Sequence, residues 1–463
     1  MSLFRKKDIA AMLASNPKVK GLKKTLTAFD LLLIGIGTLV GTGIFVLVGT
    51  GAVTAGPALS VSFILAGLAS TLVALCYAEF ASSMPVSGSI YTYCYTTLGE
   101  VVAWIIGWIL MLEYGVAVSA VAVGWSGYFQ SIISQLGIVI PKALGAAPGT
   151  TEGVDTIMNL PALIIVLAVT WLLSLGIRES VRINNILVIV KIAVLILVIS
   201  VGAIYVKTDN WVPFAPGGIE GITAAAAITF FVFIGFDAVS SAAEEVKNPQ
   251  RDLPIGIIGS LIICILLYVL VALVMTGMVP FQNFAGVGNP LSMAFKSVNQ
   301  NWIAVVVDVS AVVAIIPIII VMAYGQIRLI FAMARDGLLP EFFAKVDTKS
   351  STPVRATVLV GVVFGLLAAF VPFDKLAELV NIGTLTAFGA VAVAVIILRQ
   401  TLPNLHRPFR CPGMPYLPLI ALFSCIFLMF QLNFHTWIAY FTWIAIGVLI
   451  YFVYSKNHSK LNK

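Results

Sequence analysis

The sequence predicts an all-α integral membrane protein of twelve transmembrane helices, and three observations carry that expectation. Hydrophobic residues make up 60% of the 463 positions, charged residues only 10%, and the mean hydropathy is +1.06. The apolar residues come in runs long enough to cross a bilayer core of about 30 Å, which takes roughly 20 residues of helix. Lysine and arginine, finally, fall almost wholly on alternate loops. An average soluble domain has roughly a quarter of its residues charged. A chain with less than half that fraction cannot cover a water-facing surface, which excludes a soluble enzyme, a nucleic-acid binder and a disordered scaffold.

Measured with the 20-residue ruler, the spans fall near residues 29–54, 57–83, 98–131, 158–177, 183–206, 221–243, 254–278, 302–333, 354–371, 377–399, 415–432 and 436–455. Residues 1–27 read as a cytoplasmic N-terminal segment. Residues 1–24 are basic and polar, and no short apolar core with a small-residue cleavage site follows them. Of the 27 lysines and arginines, four (Lys142, Lys207, Lys296 and Lys375) fall outside and Lys191 lies within a span, leaving the other 22 on the side of both termini. By the positive-inside rule that side is cytoplasmic. The expected location is therefore the cell (plasma) membrane, with N- and C-termini inside. The same asymmetry explains the net charge of +7 as topology, not as a surface for nucleic acid.

The five cysteines (Cys76, Cys94, Cys264, Cys411 and Cys425) show no CxxC or ligand-like spacing, so neither a disulfide framework nor a metal site is expected. His406, His435 and His458 form no ligand set. No phosphate-binding loop, nucleophile elbow or zinc-helix motif is present, so the sequence calls for no cofactor, no enzymatic activity and no ATP-driven pump.

Two spans break the apolar pattern. The first contains Gly35, Gly37, Gly41 and Gly43, and a glycine in a helix interior costs about 1 kcal/mol against alanine. One reading is close helix packing, since Gly37 and Gly41 are four apart. The other is an unwound stretch at Val40–Gly43, whose bared amides and following half-helix present positive dipole to an anion such as a carboxylate. The sixth span repeats the peculiarity, with Gly235 and Asp237 in mid-run; freed carbonyls near Phe231 and Ile234 suit a cation such as an ammonium. Interruptions at matching places in two five-helix halves point to an inverted-repeat transporter with a midplane site. On this reading residues 28–206 form the first repeat, 207–400 the second, and 401–463 the eleventh and twelfth helices with a cytoplasmic tail.

Ionisable residues inside spans are the next candidates. Lys191 lies nine residues beyond Arg182, hence roughly 13 Å into the span at 1.5 Å per residue. A lysine at the bilayer centre costs about 2.5–3.5 kcal/mol. Either it tethers helix carbonyls, or burial lets it gain and lose a proton during transport and so take the place of a sodium ion. Glu113 is also deep, and pairing with Lys191, contact with a basic substrate, a proton relay or simple packing are all open to it. Gly115 and Ser119 share a face of the third helix and leave room beside a ligand. Asp237 is placed to cap the half-helix that follows it or to meet substrate. Glu79, Glu244 and Glu245 read as gate or loop ion-pair partners, and Asp308, near an outer end, as solvated. Phe231 stands beside the sixth-span break, where an aromatic ring can lid a substrate.

Three motifs together carry a resemblance over essentially the whole length: Gly41-Thr42-Gly43-Ile44-Phe45; Tyr77-Ala78-Glu79-Phe80 with Pro85-Val86-Ser87-Gly88-Ser89-Ile90-Tyr91; and Gly235-Phe236-Asp237 followed by Glu244-Glu245-Val246-Lys247-Asn248-Pro249. The chain resembles the amino acid–polyamine–organocation (APC) superfamily and, within it, bacterial proton-coupled members of the cationic amino acid transporter family. The resemblance implies a leucine-transporter-type fold: a five-plus-five inverted repeat with broken helices 1 and 6 and two extra helices. It implies a substrate α-carboxylate on the amides of Thr42, Gly43 and Ile44, an α-ammonium on the carbonyls of Val40, Phe231 and Ile234, and Phe231 as gate. Lys191 matches the fifth-helix lysine of proton-coupled relatives, and Met322 projects toward the distal pocket, where it limits side-chain length. The expected partners are thus an L-amino acid, small and neutral or cationic, together with protons and the lipid bilayer; a small membrane subunit is left unspecified. The expected activity is proton-coupled symport by alternating access. An exchanger or facilitator and a membrane amino acid sensor are the alternatives.

Overall fold

The first apolar run folds as two helices, not one. In the computed structural model, which describes residue 5 and residues 25–83, 90–150, 155–176, 181–241, 245–347 and 352–460, helix α1 (Ala28–Leu39) opens on Thr27. The Thr27 hydroxyl accepts from the Asp30 amide while the Asp30 carboxylate accepts from the Thr27 amide, a reciprocal cap. The helix stops at Val40, whose ψ of 94° is extended backbone. After Gly41 the chain turns helical again through a π-helical turn (Gly43–Leu47) into α2 (Val48–Ala55). The expected interruption is therefore present, and it is shorter than Val40–Gly43 because Thr42 already has helical dihedrals.

The remaining helices follow in order: α3 (Leu59–Ser83), α4 (Ile90–Thr97), α5 (Glu100–Gln135), α6 (Leu160–Ser174) and α7 (Val181–Gly202). The sixth run is α8 (Gly218–Thr229), a 3₁₀ turn (Phe230–Phe233), an extended Ile234 and a short α9 (Ala238–Ser241). Then come α10 (Pro249–Met278), α11 (Pro290–Ser297), α12 (Asn301–Arg335), α13 (Val354–Phe370), α14 (Phe373–Thr401), α15 (Tyr416–Phe430) and α16 (Phe434–Ile450). Among the described residues eight helical stretches are long and apolar enough to cross a membrane, and four shorter apolar helices accompany them. The short helices α4 and α11 had no counterpart among the expected spans: at eight residues each they lie far below the length that the membrane ruler detects.

The packing separates a centre from a periphery. In α5 72% of the most apolar stretch is buried, against 22% in the last long helix, whose exposed Phe441 and Leu449 suit contact with lipid tails. Helices α3 and α10, and α5 and α12, form the most extensive pairs, while α1 lies against α10 and α7. The segment entering α1 also pairs with the one beyond α9: the amides of Thr25 and Leu26 donate to Glu245 O, and Lys247 N–H donates to Leu26 O. The two interrupted runs are thus joined outside their helices as well as within them.

One expectation is corrected. Asp308 is not solvated but fully buried on α12, where its carboxylate accepts from Ser131 Oγ at 2.6 Å and Gln135 Nε2 at 3.1 Å, with Lys296 Nζ at 3.8 Å. The C-terminal end of α5 packs its Ser131 and Gln135 against the first turns of α12, a contact between distant segments that a span-by-span reading does not see. Glu79 behaves as expected of an ion-pair partner: it is buried, receives Arg399 through two hydrogen bonds of 2.9 and 2.6 Å, and lies 3.3 Å from Arg407 Nε. Arg178, Pro85–Ser89 and Glu244 lie outside the described residues.

Candidate functional site

The two interruptions face each other across a small cavity. Thr38, Leu39, Gly41, Thr42 and Gly43 line it from the first run, Phe231 and Ile234 from the sixth, Ala117 and Val121 from α5, and Ile318 and Met322 from α12. Its free volume of about 20 Å³ admits little more than a water molecule. Glycine leaves space at two positions here, against the sixth run at Gly43 and against α12 at Gly41. A Cβ on Gly43 would stand 2.8 Å from the Val232 backbone, and one on Gly41 1.9 Å from the Ile318 side-chain tip. Gly235 has φ +116°, a conformation that L side chains rarely adopt.

Main-chain polarity is arranged in opposite senses around this cavity. Past the first interruption, the first helical hydrogen bond runs from Phe45 N–H to Gly41 O at 3.2 Å. The amides of Thr42, Gly43 and Ile44 precede it, among those that a helix start leaves without a helical carbonyl. At the second interruption the 3₁₀ turn ends at Ile234, whose N–H donates to Phe231 O at 3.2 Å, so Phe231 O has one lone pair left to offer and the Ile234 carbonyl follows where the helical pattern stops. Thr42 Oγ1 is buried and has no hydrogen-bond partner, at the wall of the cavity. A donor-rich edge, an acceptor-rich edge and an unsatisfied hydroxyl match the two ends of a small zwitterion, which the cavity has to widen to admit.

Side chains from other helices take up the carbonyls that both interruptions free. Lys191, buried on α7, donates from Nζ to Gly37 O at 2.9 Å, the carbonyl that would have served the Gly41 amide had α1 continued. Asn381 on α14 donates from Nδ2 to Ala227 O at 2.8 Å and lies 3.0 Å from Ile228 O. Both pairs span 154 residues, and Asn381 stands as far beyond Lys191 as Ala227 stands beyond Gly37. Thr38 Oγ1 lies 2.9 Å from both Gly35 O and Gly235 O, bridging the two runs.

Of the residues singled out in the sequence, Thr42, Gly43, Phe231, Ile234 and Met322 meet at the cavity. Val40 and Ile44 flank it in the backbone, both fully buried. Gly115 faces elsewhere: the Phe364 ring of α13 fills the space beside it, and Ser119 Oγ donates to Phe364 O at 2.7 Å. Glu113 is buried with Oε2 unpartnered, packed on Gly383, and has Asp237 and Thr384 as polar neighbours. The Asp237 carboxyl is met by the amides of Asp237, Ala238 and Gly235 around the interruption, and Tyr114 Oη lies 3.4 Å from it. Sequence reasoning missed Asn381, whose only local trace is an amide side chain in an apolar span, and the distal wall of Ala117, Val121 and Ile318, which looks like any other membrane helix.

Among the described residues, a helical membrane protein with two interrupted runs around a small cavity has the build of a permease. The comparisons with known proteins agree: a family model described as amino acid permease matches residues 26–454, and the chain belongs to that family, within the APC superfamily. The chain is 56% identical to the branched-chain amino acid permease BcaP of Bacillus subtilis, over all of this chain and 99% of that protein. It is 51% identical to the methylthioribose transporter of the same organism over the full length of both. It is also 41% identical to the vacuolar cationic amino acid transporter 4 of Arabidopsis thaliana, over 87% of this chain and 68% of that one.

Proposed function

We propose that the protein is a proton-coupled symporter of neutral, apolar L-amino acids that works by alternating access. The observation that carries this reading is the pair of facing interruptions, with Thr42 unsatisfied between them. The substrate carboxylate is held by the amides of Thr42, Gly43 and Ile44, where the following half-helix adds positive dipole. The ammonium is held by the carbonyls of Val40, Phe231 and Ile234, and the Phe231 ring closes over the ligand. The side chain points to Ala117, Val121, Ile318 and Met322, a wall without a charged group, which favours an aliphatic substrate over arginine or lysine. The name of the 56% identical relative favours a branched-chain one.

The matched separations of Lys191 from Gly37 and of Asn381 from Ala227 support the twelve-helix, five-plus-five inverted repeat, because they place the same device on the fifth helix of each half. Within that frame Lys191 is the proton carrier. Protonated, it grips the Gly37 carbonyl and fixes α1; neutral, it grips more weakly and lets α1 move. The proton gradient is the driving force, the cell membrane the location, and the charge-rich end the cytoplasmic one. A second reading, transport of a thiosugar, follows from the 51% identical methylthioribose transporter. A thermal-shift panel of the purified protein separates the two, since a ligand of the folded state raises its melting temperature. Leucine, isoleucine and valine are expected to stabilise it and methylthioribose to leave it unchanged; the reverse result would overturn the amino acid reading.

A further inference from the structure

At the arginine-rich end, two cysteines far apart in sequence meet. Cys76, on α3 one turn before Glu79, has its Sγ 3.8 Å from Sγ of Cys411, in the segment between α14 and α15. Both are free thiols and both are buried. The same two segments are knotted by charge. Cys411 N–H donates to Glu79 Oε2 at 2.7 Å, and Arg399 donates both to Glu79 and, at 2.9 Å, to Cys411 O. Cys411 nevertheless sits directly beneath the surface, between exposed Arg410 and exposed Pro412, within reach of a water-sized oxidant.

We infer that Cys76 and Cys411 form a redox-sensitive staple, oxidised to a disulfide by a peroxide, that locks this end of the transporter closed. The thiol of Cys411 is held below its ordinary pKa, chiefly by the hydrogen bond from Cys76, with Arg399 adding to it, and so favours the attacking thiolate. That thiolate attacks one oxygen of hydrogen peroxide, giving a sulfenic acid and hydroxide, and the hydroxide takes up the proton that Cys411 shed on ionising to become the first water. The Cys76 thiol then displaces hydroxide from the sulfenic sulfur, and the proton it releases completes a second water. The sum is two thiols and one peroxide giving one disulfide and two waters. An S–S bond of about 2.05 Å is reached by small side-chain rotations from a contact this close. It binds α3 covalently to the segment before α15, across the knot that must loosen if this end is to open. Thiol reductants reverse it, as befits a transient bond in a reducing compartment.

The test treats the full-length protein in liposomes with hydrogen peroxide. Denaturing alkylation then counts free thiols, and mass spectrometry of the digest identifies the linked peptides. The expected result is a fall from five alkylatable thiols to three, with Cys76 linked to Cys411. Uptake of leucine falls to background and recovers with dithiothreitol, while Cys411→Ala still transports and ignores the oxidant. Five thiols remaining, or a link through Cys94, Cys264 or Cys425, would overturn the staple; a Cys76–Cys411 link with undiminished uptake would overturn the lock. The uptake arm rests on the transport function proposed above. If no substrate is carried even before oxidation, that function fails, while the thiol count still decides the staple.

Discussion

Lys191 Nζ donates to Gly37 O at 2.9 Å, and so occupies the carbonyl that the end of α1 leaves open. The bond makes the lysine a structural tether whatever else it does, and an amide side chain is able to imitate the tether but not the titration. Lys191→Gln is therefore expected to keep the melting temperature close to that of the parent protein while abolishing accumulation driven by a pH gradient; substrate exchange at equal pH persists. Proteoliposome uptake with and without an imposed gradient makes the measurement. Undiminished gradient-driven accumulation in Lys191→Gln would remove proton coupling from this residue.

Asn381 should be a stabilising residue of the second interruption, since its Nδ2 serves Ala227 O and Ile228 O. Asn381→Leu leaves buried carbonyls unpaired at about 1–3 kcal/mol for each unsatisfied group. The expected outcome is a lowered melting temperature together with weaker substrate binding, because the carbonyls of Phe231 and Ile234 lose their fixed position. An unchanged melting temperature would mean that the amide is dispensable.

Gly41 and Gly43 should differ in how they tolerate alanine. A new methyl at Gly41 meets the flexible tip of Ile318, so Gly41→Ala is expected to weaken binding and to be rescued by Ile318→Val. A methyl at Gly43 meets the Val232 backbone, which no side-chain trimming relieves. Gly43→Ala is expected to abolish binding with no rescue from Val232→Ala. Dissociation constants for the four variants, measured by ligand-induced thermal shift, decide the matter.

The knot around Glu79 is expected to contribute to stability beyond an ordinary surface ion pair. The carboxylate is fully buried, accepts from Arg399 and the Cys411 amide, and has Arg407 Nε at 3.3 Å as an ion-pair neighbour. Removing one partner of such a group strands the others, and Glu79→Ala should lose about 3 kcal/mol of stability. Thermal unfolding in detergent measures it; a shift no larger than that of Asp209→Ala, an exposed site in the 3₁₀ turn Thr208–Trp211, would show the knot to be weak.

Much of the architecture is legible in the sequence because membrane insertion writes it locally. Apolar runs, basic loops and mid-run glycines each report on their own neighbourhood, which is why both interruptions and Lys191 stand out. What is not legible depends on partners hundreds of residues away. The Asn381–Ala227 bond and the Cys76–Cys411 contact leave no pattern in either segment, and the burial of Asp308 depends on Ser131 and Gln135 of α5. Gly115 illustrates the converse: its small size was visible, but the Phe364 ring that uses the space was not.

The closeness of Gly43 to the Val232 backbone has a mechanical consequence. Because Gly43 contributes no side chain, the two interrupted runs meet with only Val232 at the seam, and a displacement of either there presses directly on the other's main chain. A contact that close favours joint movement of the two segments over independent movement, so the two edges of the cavity keep their spacing.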